Sequence, residues 1–354
     1  MSSESKIRVL VVDDSAVARM MIKEGLSKDP SIEVVGTASD AYMARDKIVK
    51  LRPDVMTLDV EMPKMDGVSF LKKLMPQWPI PTIMVSSHTE RGQHIALRAL
   101  EAGAVEIVTK PSAEKNRSPK TMLLELRTII KSAKRIKVMT PKKVSTQEPK
   151  KVLPNAFIAN GKPVFIVIGA STGGTEALKV VLTKLPPNAP PVLVVQHMPA
   201  GFTKHFSESV NKICAVEVKE AETGDAIQSG RVIIAAGGCH LSVIKRPRGF
   251  EVVSQPGENV SGHCPSVDVL MQSASENFGN SAVGVMLTGM GRDGTKGMLS
   301  MFRVGTINIA QDETSCVVYG MPKSAVEAGA VHEVTPLDKI TDLIMKKVRV
   351  IEKK

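Results

Sequence analysis

Two groups of side chains in this 354-residue sequence have types and positions that could do chemistry. In the first, Asp13 and Asp14 follow the apolar run IRVLVV, Asp59 sits in VMTLDV, Ser86 and Ser87 end TIMVSS, and Lys110, before Pro111, ends EIVTK. If these runs are parallel strands, all six residues meet at the carboxyl edge of one sheet, where α/β proteins bind ligands. Crowded carboxylates repel one another unless a hard cation joins them, and Mg²⁺ accepts carboxylates and water in an octahedral shell. A lysine and a hydroxyl beside such a cluster suit a transferred phosphoryl group, because they neutralise and hydrogen-bond its oxygens. Any one of the Asp residues has a plainer reading as a helix cap, Asp14 for a helix starting at Ala16. Caps alone do not require a Lys-Pro pair on a different strand.

In the second group, Ser171 lies in GASTGG, between the apolar run VFIVI and the helical pattern TEALKVVLTKL. The string fits the G-x-S-x-G nucleophile elbow, in which a tight strand-to-helix turn exposes the hydroxyl beside helix amides that favour developing negative charge. A serine nucleophile needs a base and an orienting acid. His197 ends the next run, VLVVQHM, and Asp293 lies in TGMGRDG after a further one, so both are expected at the edge that carries Ser171. With seven histidines in the chain a chance pairing has to be weighed. The serine-acid-histidine order of α/β-hydrolases would nominate His332 as the base, but His332 begins a short run, which is the opposite edge. Read instead as a phosphate loop, GASTGG lacks both the G-x-G-x-x-G spacing and a G-K-[ST] ending. Gln311, Asp312 and Glu313 end another strand, either lining the cleft or capping the next turn.

The elements that must position these groups are legible as alternations. Up to about residue 139, five β-branched runs alternate with helical patterns at 16–28, 41–51, 67–75, 91–102 and 121–137, which predicts a doubly wound five-stranded parallel sheet. Residues 140–161, rich in proline and lysine without a sustained period, read as a basic linker. From 162 to 350 a second mainly parallel α/β domain is expected, with HLSVIKRPRGFEVVSQP as an inserted antiparallel hairpin and a last helix at 337–350. Length agrees, since one core rarely organises 354 residues.

Composition narrows the function classes. Hydrophobic residues at 43% and charged residues at 23% describe a folded globular chain. Four scattered cysteines without a C-x-x-C pair argue against a zinc or disulfide framework, and 3% aromatics argue against stacking platforms for single strands. The net charge of +11 raises the question of nucleic acid, but residues 112–151 carry 12 Lys and Arg against 3 Asp and Glu, and 346–354 carry 5 against 1. The remainder is slightly acidic, so the excess belongs to the fifth helix, the linker and the tail. No secretory leader and no apolar run near bilayer length is seen, and a cytoplasmic protein without membrane insertion is expected.

The set VVDDS, LDVEMPKMDG, VSS and TKP resembles the receiver domain of two-component response regulators, a flavodoxin-like fold. That resemblance implies Asp59 as phosphoacceptor, Mg²⁺ organised by Asp13 and Asp14 with the backbone carbonyl of Glu61, and Ser86 and Lys110 on the phosphoryl group. Receivers commonly carry an aromatic three residues before the lysine, where this chain has Ile107. GASTGG, QHMP, TGMGRDG and AQDETSCVVYGMP resemble the chemotaxis receptor methylesterase family, which demethylates glutamate γ-methyl esters and deamidates glutamines. By that resemblance Ser171 is the nucleophile, His197 the base and then acid, Asp293 the orienting carboxylate, and the Met290 N–H an oxyanion donor, with Thr172 helping to orient the triad. Cys264 stands where the family usually has arginine, and packs most simply as a small filler. The implied partners are chemoreceptors as substrate and a chemotaxis histidine kinase as phosphodonor, and the esterase needs no organic cofactor. A DNA-binding response regulator is the rival, but its effector would be a small helical reader rather than a long α/β domain.

Overall fold

The computed structural model describes residues 6–86, 95, 98–100, 102–111, 118–133 and 163–353. The chain divides into two compact units, Met1–Ser145 and Thr146–Lys354. The linker expected at 140–161 lies outside the described residues, as do Ser87 and most of the helix expected at 91–102.

In the first unit, β1 (Ile7–Val12), β2 (Ile32–Ala38), β3 (Val55–Asp59), β4 (Thr82–Ser86) and β5 (Glu106–Thr109) form one sheet in the order β2-β1-β3-β4-β5. Every neighbouring pair is parallel. The inner strands β3 and β4 are buried along their whole length, so their sequence is mainly apolar without a polar outward face, and the polar residues they do hold (Thr57, Asp59, Thr82, Ser86) are buried too. Helices α1 (Ala16–Ser27), α2 (Ala41–Leu51), α3 (Gly67–Leu74) and α4 (Pro119–Ala133) connect and cover them. Ile22 and Leu26 of α1 and Met122, Leu126 and Ile129 of α4 enter a core with Val9, Val11 and Ile83. The cap of α1 is Ser15, whose side chain accepts from the Ala18 N–H, so the capping role considered for Asp14 falls to its neighbour. Asp14 is exposed and left free for other work. Asp66 caps α3, and Gly67 is forced by space, since a Cβ there would lie 2.1 Å from the Asp59 carbonyl oxygen.

The second unit is built on seven strands, β6 (Phe165–Ala170), β7 (Val192–Gln196), β8 (Glu217–Glu220), β9 (Arg231–Ile234), β12 (Ala282–Met286), β13 (Ile307–Gln311) and β14 (Glu333–Thr335). Their order is β14-β13-β12-β6-β7-β9-β8, parallel throughout. The predicted hairpin is present as β10 (Cys239–Arg246) and β11 (Gly249–Pro256), an antiparallel pair in a sheet of its own. Helices α5 (Gly174–Leu182), α6 (Phe202–Asn211), α7 (Val267–Phe278), α8 (Thr295–Arg303), α9 (Met321–Glu327) and α10 (Ile340–Glu352) complete it. Phe165 stacks on Phe278 with ring centres 3.8 Å apart, and Phe250 of the hairpin meets both edge-on, tying β6, α7 and the hairpin into one core.

The last helix starts three residues later than its sequence pattern suggested. Extended Pro336 leads into a 3₁₀ turn over Leu337–Lys339, and α10 then runs on to bury Ile351. After β6 the chain builds β7, β8 and β9 on one side, then returns to lay β12 on the other. The strand order therefore reverses at β6, and the crevice beyond its carboxyl end is the natural ligand position.

Candidate active site

Ser171 follows β6 immediately and is 8% exposed. Its N–H donates to the Thr288 carbonyl at 3.0 Å and its carbonyl accepts from Gly174 N–H at 2.7 Å, so the turn is pinned on both sides. Gly173 makes the turn possible: its φ is +74°, and a Cβ there would fall 2.4 Å from Val317. Helix α5 begins at the next residue, so residue 171 stands at the positive end of its dipole.

His197 follows β7, and its N–H donates to the Ala170 carbonyl at 3.1 Å. The buried Gln196 amide donates to the carbonyls of Ser171 at 2.9 Å and of His197 at 3.2 Å, so one side chain holds both turns together. His197 Nε2 is 2.8 Å from Asp293 Oδ2, while Nδ1 is buried without a hydrogen-bond partner. Nε2 is thus committed to the acid, and Nδ1 is the nitrogen left to take a proton. Among the described residues no hydrogen bond joins Ser171 Oγ to His197.

Asp293, 1% exposed, is held in a cradle of donors. It accepts from Ser266 Oγ at 2.8 Å, Val267 N–H at 2.7 Å, Asp268 N–H at 3.0 Å and Gly294 N–H at 2.9 Å. Val267 and Asp268 open α7, so Asp293 sits as an anion on that helix's N-terminus and replaces the cap that Ser266 does not make. In return Asp268 Oδ1 accepts from Gly297 N–H, in the first turn of α8, at 2.9 Å. Burial by itself raises the Asp293 pKa, but the hydrogen bonds from His197, Ser266 and Val267 outweigh it and hold the carboxyl below its ordinary value. An ionised Asp293 fixes the Nε2–H tautomer of His197 and favours the imidazolium once it forms.

The other nominated residues separate clearly. The Met290 N–H, two residues beyond Thr288, donates to no acceptor among the described residues. Thr172 is buried and its carbonyl accepts from Thr288 Oγ1 at 2.9 Å. Gln311 is structural: its Oε1 accepts from the Thr288 N–H and its amide donates to the Ser315 carbonyl. Asp312 caps the following turn, accepting from Thr314 Oγ1, Ser315 N–H and Ser315 Oγ. His332 lies at the amino end of β14, exchanging hydrogen bonds with the Asn308 backbone against Phe302, far from the carboxyl edge where Ser171 sits. Cys264 is a half-buried free thiol whose pKa burial pushes up. In the segment 260–268 the sequence reading reached only Cys264; it missed the donors to Asp293 and His263, which lies against His197 with ring centres 3.7 Å apart. The one local signal was the serine before the helical pattern at 267–278.

The first unit carries its own cluster. Carboxylate oxygens of Asp13, Asp14 and Asp59 lie within 4.8 Å of one another, spacing that a single hard cation can bridge. Lys110 Nζ is 2.9 Å from both Asp13 Oδ2 and Asp59 Oδ2. Burial pushes the Asp59 carboxyl up to about 6 against the pull of Lys110, and Asp13 beside it pushes the same way. Burial also opposes the charge on Lys110, yet its two carboxylate partners win and raise its pKa. Three carboxylates against one lysine, one of the carboxylates open to solvent, fit a magnesium ion. Ser86 is buried at the end of β4 beside β5, Glu61 follows β3 two residues after Asp59, and Ile107 is half-buried on β5 opposite Met84.

Comparison with known proteins agrees with both halves. The family model "CheB methylesterase" matches residues 166–344, and "Response regulator receiver domain" matches 9–118. The protein-glutamate methylesterase/protein-glutamine glutaminase of Syntrophotalea carbinolica is 53% identical over 97% of this chain and 99% of its own. The protein of that name from Sulfurimonas denitrificans is 50% identical over 94% and 96%. The crystal structure of the Thermotoga maritima CheB methylesterase catalytic domain superposes with a TM-score of 0.52 at 38% identity, covering 53% of this chain and all of that one.

Proposed function

The chain belongs to the CheB methylesterase family, and on that premise we propose that it hydrolyses glutamate γ-methyl esters on chemoreceptor helices, and deamidates glutamines there, through Ser171, His197 and Asp293. The observation that carries this reading is the 2.8 Å bond from His197 Nε2 to a buried, multiply hydrogen-bonded Asp293, beside a serine on a glycine turn. His197 Nδ1 takes the Ser171 proton as Oγ attacks the ester carbonyl. The tetrahedral oxyanion is stabilised by the Met290 N–H and the start of α5. The imidazolium then returns the proton to the leaving methoxide, and methanol departs. Water, activated by the same imidazole, hydrolyses the acyl-enzyme to glutamate and free serine. On a glutamine side chain the leaving group is ammonia.

The proposed division is a receiver at 1–139, a linker at 140–161 and an esterase at 162–350. In the receiver Asp59 accepts the phosphoryl group from a chemotaxis histidine kinase, and Asp13, Asp14, Asp59 and the Glu61 carbonyl hold magnesium, which supplies charge neutralisation when bound. Lys110 and Ser86 bind the phosphoryl oxygens. The receiver restrains the esterase until Asp59 is phosphorylated. No helix among the described residues is long and apolar enough to cross a membrane. Family membership displaces the DNA-binding alternative.

The test is methanol release from methylated receptor membranes. Acetyl phosphate in magnesium buffer is expected to stimulate the full chain by about 5- to 150-fold, the range of an ordinary coupling free energy of about 1–3 kcal/mol. It should leave Asp59→Asn at the basal rate, while residues 162–354 alone run faster than the unphosphorylated whole. Equal rates for fragment and whole would remove the restraint.

A further inference from the structure

We propose that His263 is a positioning residue of the esterase, a flat platform that holds the His197 ring in the plane its proton transfers require. This rests on the triad reading above and adds a residue to it. The two imidazoles stack face to face, 3.7 Å between centres and 9° between planes. His197 needs such a support because only one of its nitrogens is anchored: Nε2 is tied to Asp293, whereas Nδ1 must stay free for the serine proton. A ring held at one point can swing about its side-chain torsions, and a swing of about 1 Å can cost of order 100-fold in rate.

The backbone around His263 is constructed for the task. Val260 and His263 exchange both N–H···O=C bonds at 3.0 Å, closing a two-residue turn over Ser261 and Gly262. Both turn residues have positive φ, +53° and +89°. Glycine adopts this at no steric cost, but for Ser261 it is strained, and such strain persists only where the surroundings hold it. Here Ser261 Oγ donates to Asp268 Oδ2 at 2.7 Å, and the base of the loop is tied by His240, which accepts from Ser266 N–H at 3.3 Å and bonds the Glu258 carbonyl at 2.8 Å. Beyond His263 the same segment supplies Ser266, Val267 and Asp268 to Asp293, so one loop fixes both the acid and the plane of the base.

Charge suits the arrangement as well. Burial, and then His197 beside it, push the His263 pKa down to about 4, against the opposing pull of Asp293. Near neutral pH His263 is therefore an uncharged π face. When His197 takes the Ser171 proton, the imidazolium lies over that face as a cation over an aromatic ring, an attraction absent before the transfer.

The test compares His263→Phe, which keeps a flat ring, with His263→Ala and His263→Leu, which do not, in the full-length protein, using methanol release from methylated receptor membranes after equal folding is checked by circular dichroism. Loss of the platform should lower kcat about 10- to 100-fold with KM within about 2-fold, because the contact acts on the base and not on bound ester. His263→Phe should recover to within about 3-fold of wild type. If His263→Ala folds poorly, His263→Leu carries the comparison. A kcat for the Ala or Leu variant within 2-fold of wild type would overturn the proposal, as would a Phe variant no better than Leu. Ser171→Ala run in parallel separates the two readings: a dead Ser171→Ala with normal His263 variants removes only the platform, whereas an active Ser171→Ala removes the triad and the platform with it.

Discussion

Ser171→Ala is expected to reduce methanol release by about 10⁴-fold or more, with substrate affinity little changed. The size follows from what the hydroxyl does in the proposed mechanism. It is the atom that forms the covalent bond, and the Nδ1 of His197 has no other proton to collect at this turn. Removing it leaves only what positioned amides and binding contribute to direct attack by water, a residual effect common to serine hydrolases. Space is not a confounder, since alanine fits wherever serine does and the turn is shaped by Gly173 and by the backbone bonds of residue 171 to Thr288 and Gly174. Thermal unfolding should therefore match wild type while initial rates collapse. Retention of even half the wild-type rate would end the nucleophile assignment.

The second large effect is expected at Asp293, and there activity and stability should fall together. Asp293→Ala strips the partner from His197 Nε2 and leaves the donors of Ser266, Val267, Asp268 and Gly294 buried without an acceptor. A loss of about 3–5 kcal/mol in chemical denaturation is expected for so many desolvated groups, together with about 10⁴-fold in kcat. Asp293→Asn separates the two. The amide is isosteric and accepts through one oxygen only, so stability should fall less while the histidine tautomer, and hence the rate, is still lost. The pH dependence has a definite sign. A carboxyl whose folded pKa lies below its ordinary value of about 3.9 contributes stability that is complete above that value and disappears as pH falls through the lower folded value. Wild type should therefore lose stability on acidification below about pH 4 more steeply than Asp293→Asn. Parallel acid curves for the two would contradict the depressed carboxyl.

What the linear sequence disclosed, and what it hid, follows from the range of each interaction. Ser171, His197 and Asp293 were legible because each follows a short apolar strand, and parallel topology alone brings strand ends together. The order of the strands, by contrast, was settled only by pairing, with β6 between β7 and β12. Ser15 rather than Asp14 caps α1 because the Asp13 carboxylate takes the Ser15 N–H at 2.9 Å and fixes that residue at the helix entrance, a two-residue detail below the resolution of a pattern. The cap of α7 was invisible for a different reason. Its acceptor comes from Asp293, 25 residues beyond the Asp268 N–H it receives, and no local motif announces a cap supplied from another loop. His263 was hidden among seven histidines, since stacking has no sequence signature.

The reciprocal exchange between Asp293 and α7, and between Asp268 and α8, also bears on how such a domain can change through descent. In the proposed mechanism Ser171 and His197 serve the reaction, whereas Asp293 also caps the start of a helix. A lineage relieved of selection for ester hydrolysis could drift at the serine and the histidine at little cost to the fold. It would still be held to an aspartate at position 293 and to a short polar residue at 266, because folding itself selects them. An inactive descendant should thus be recognisable by a triad that has eroded from its nucleophile inward, with the acid the last member to go.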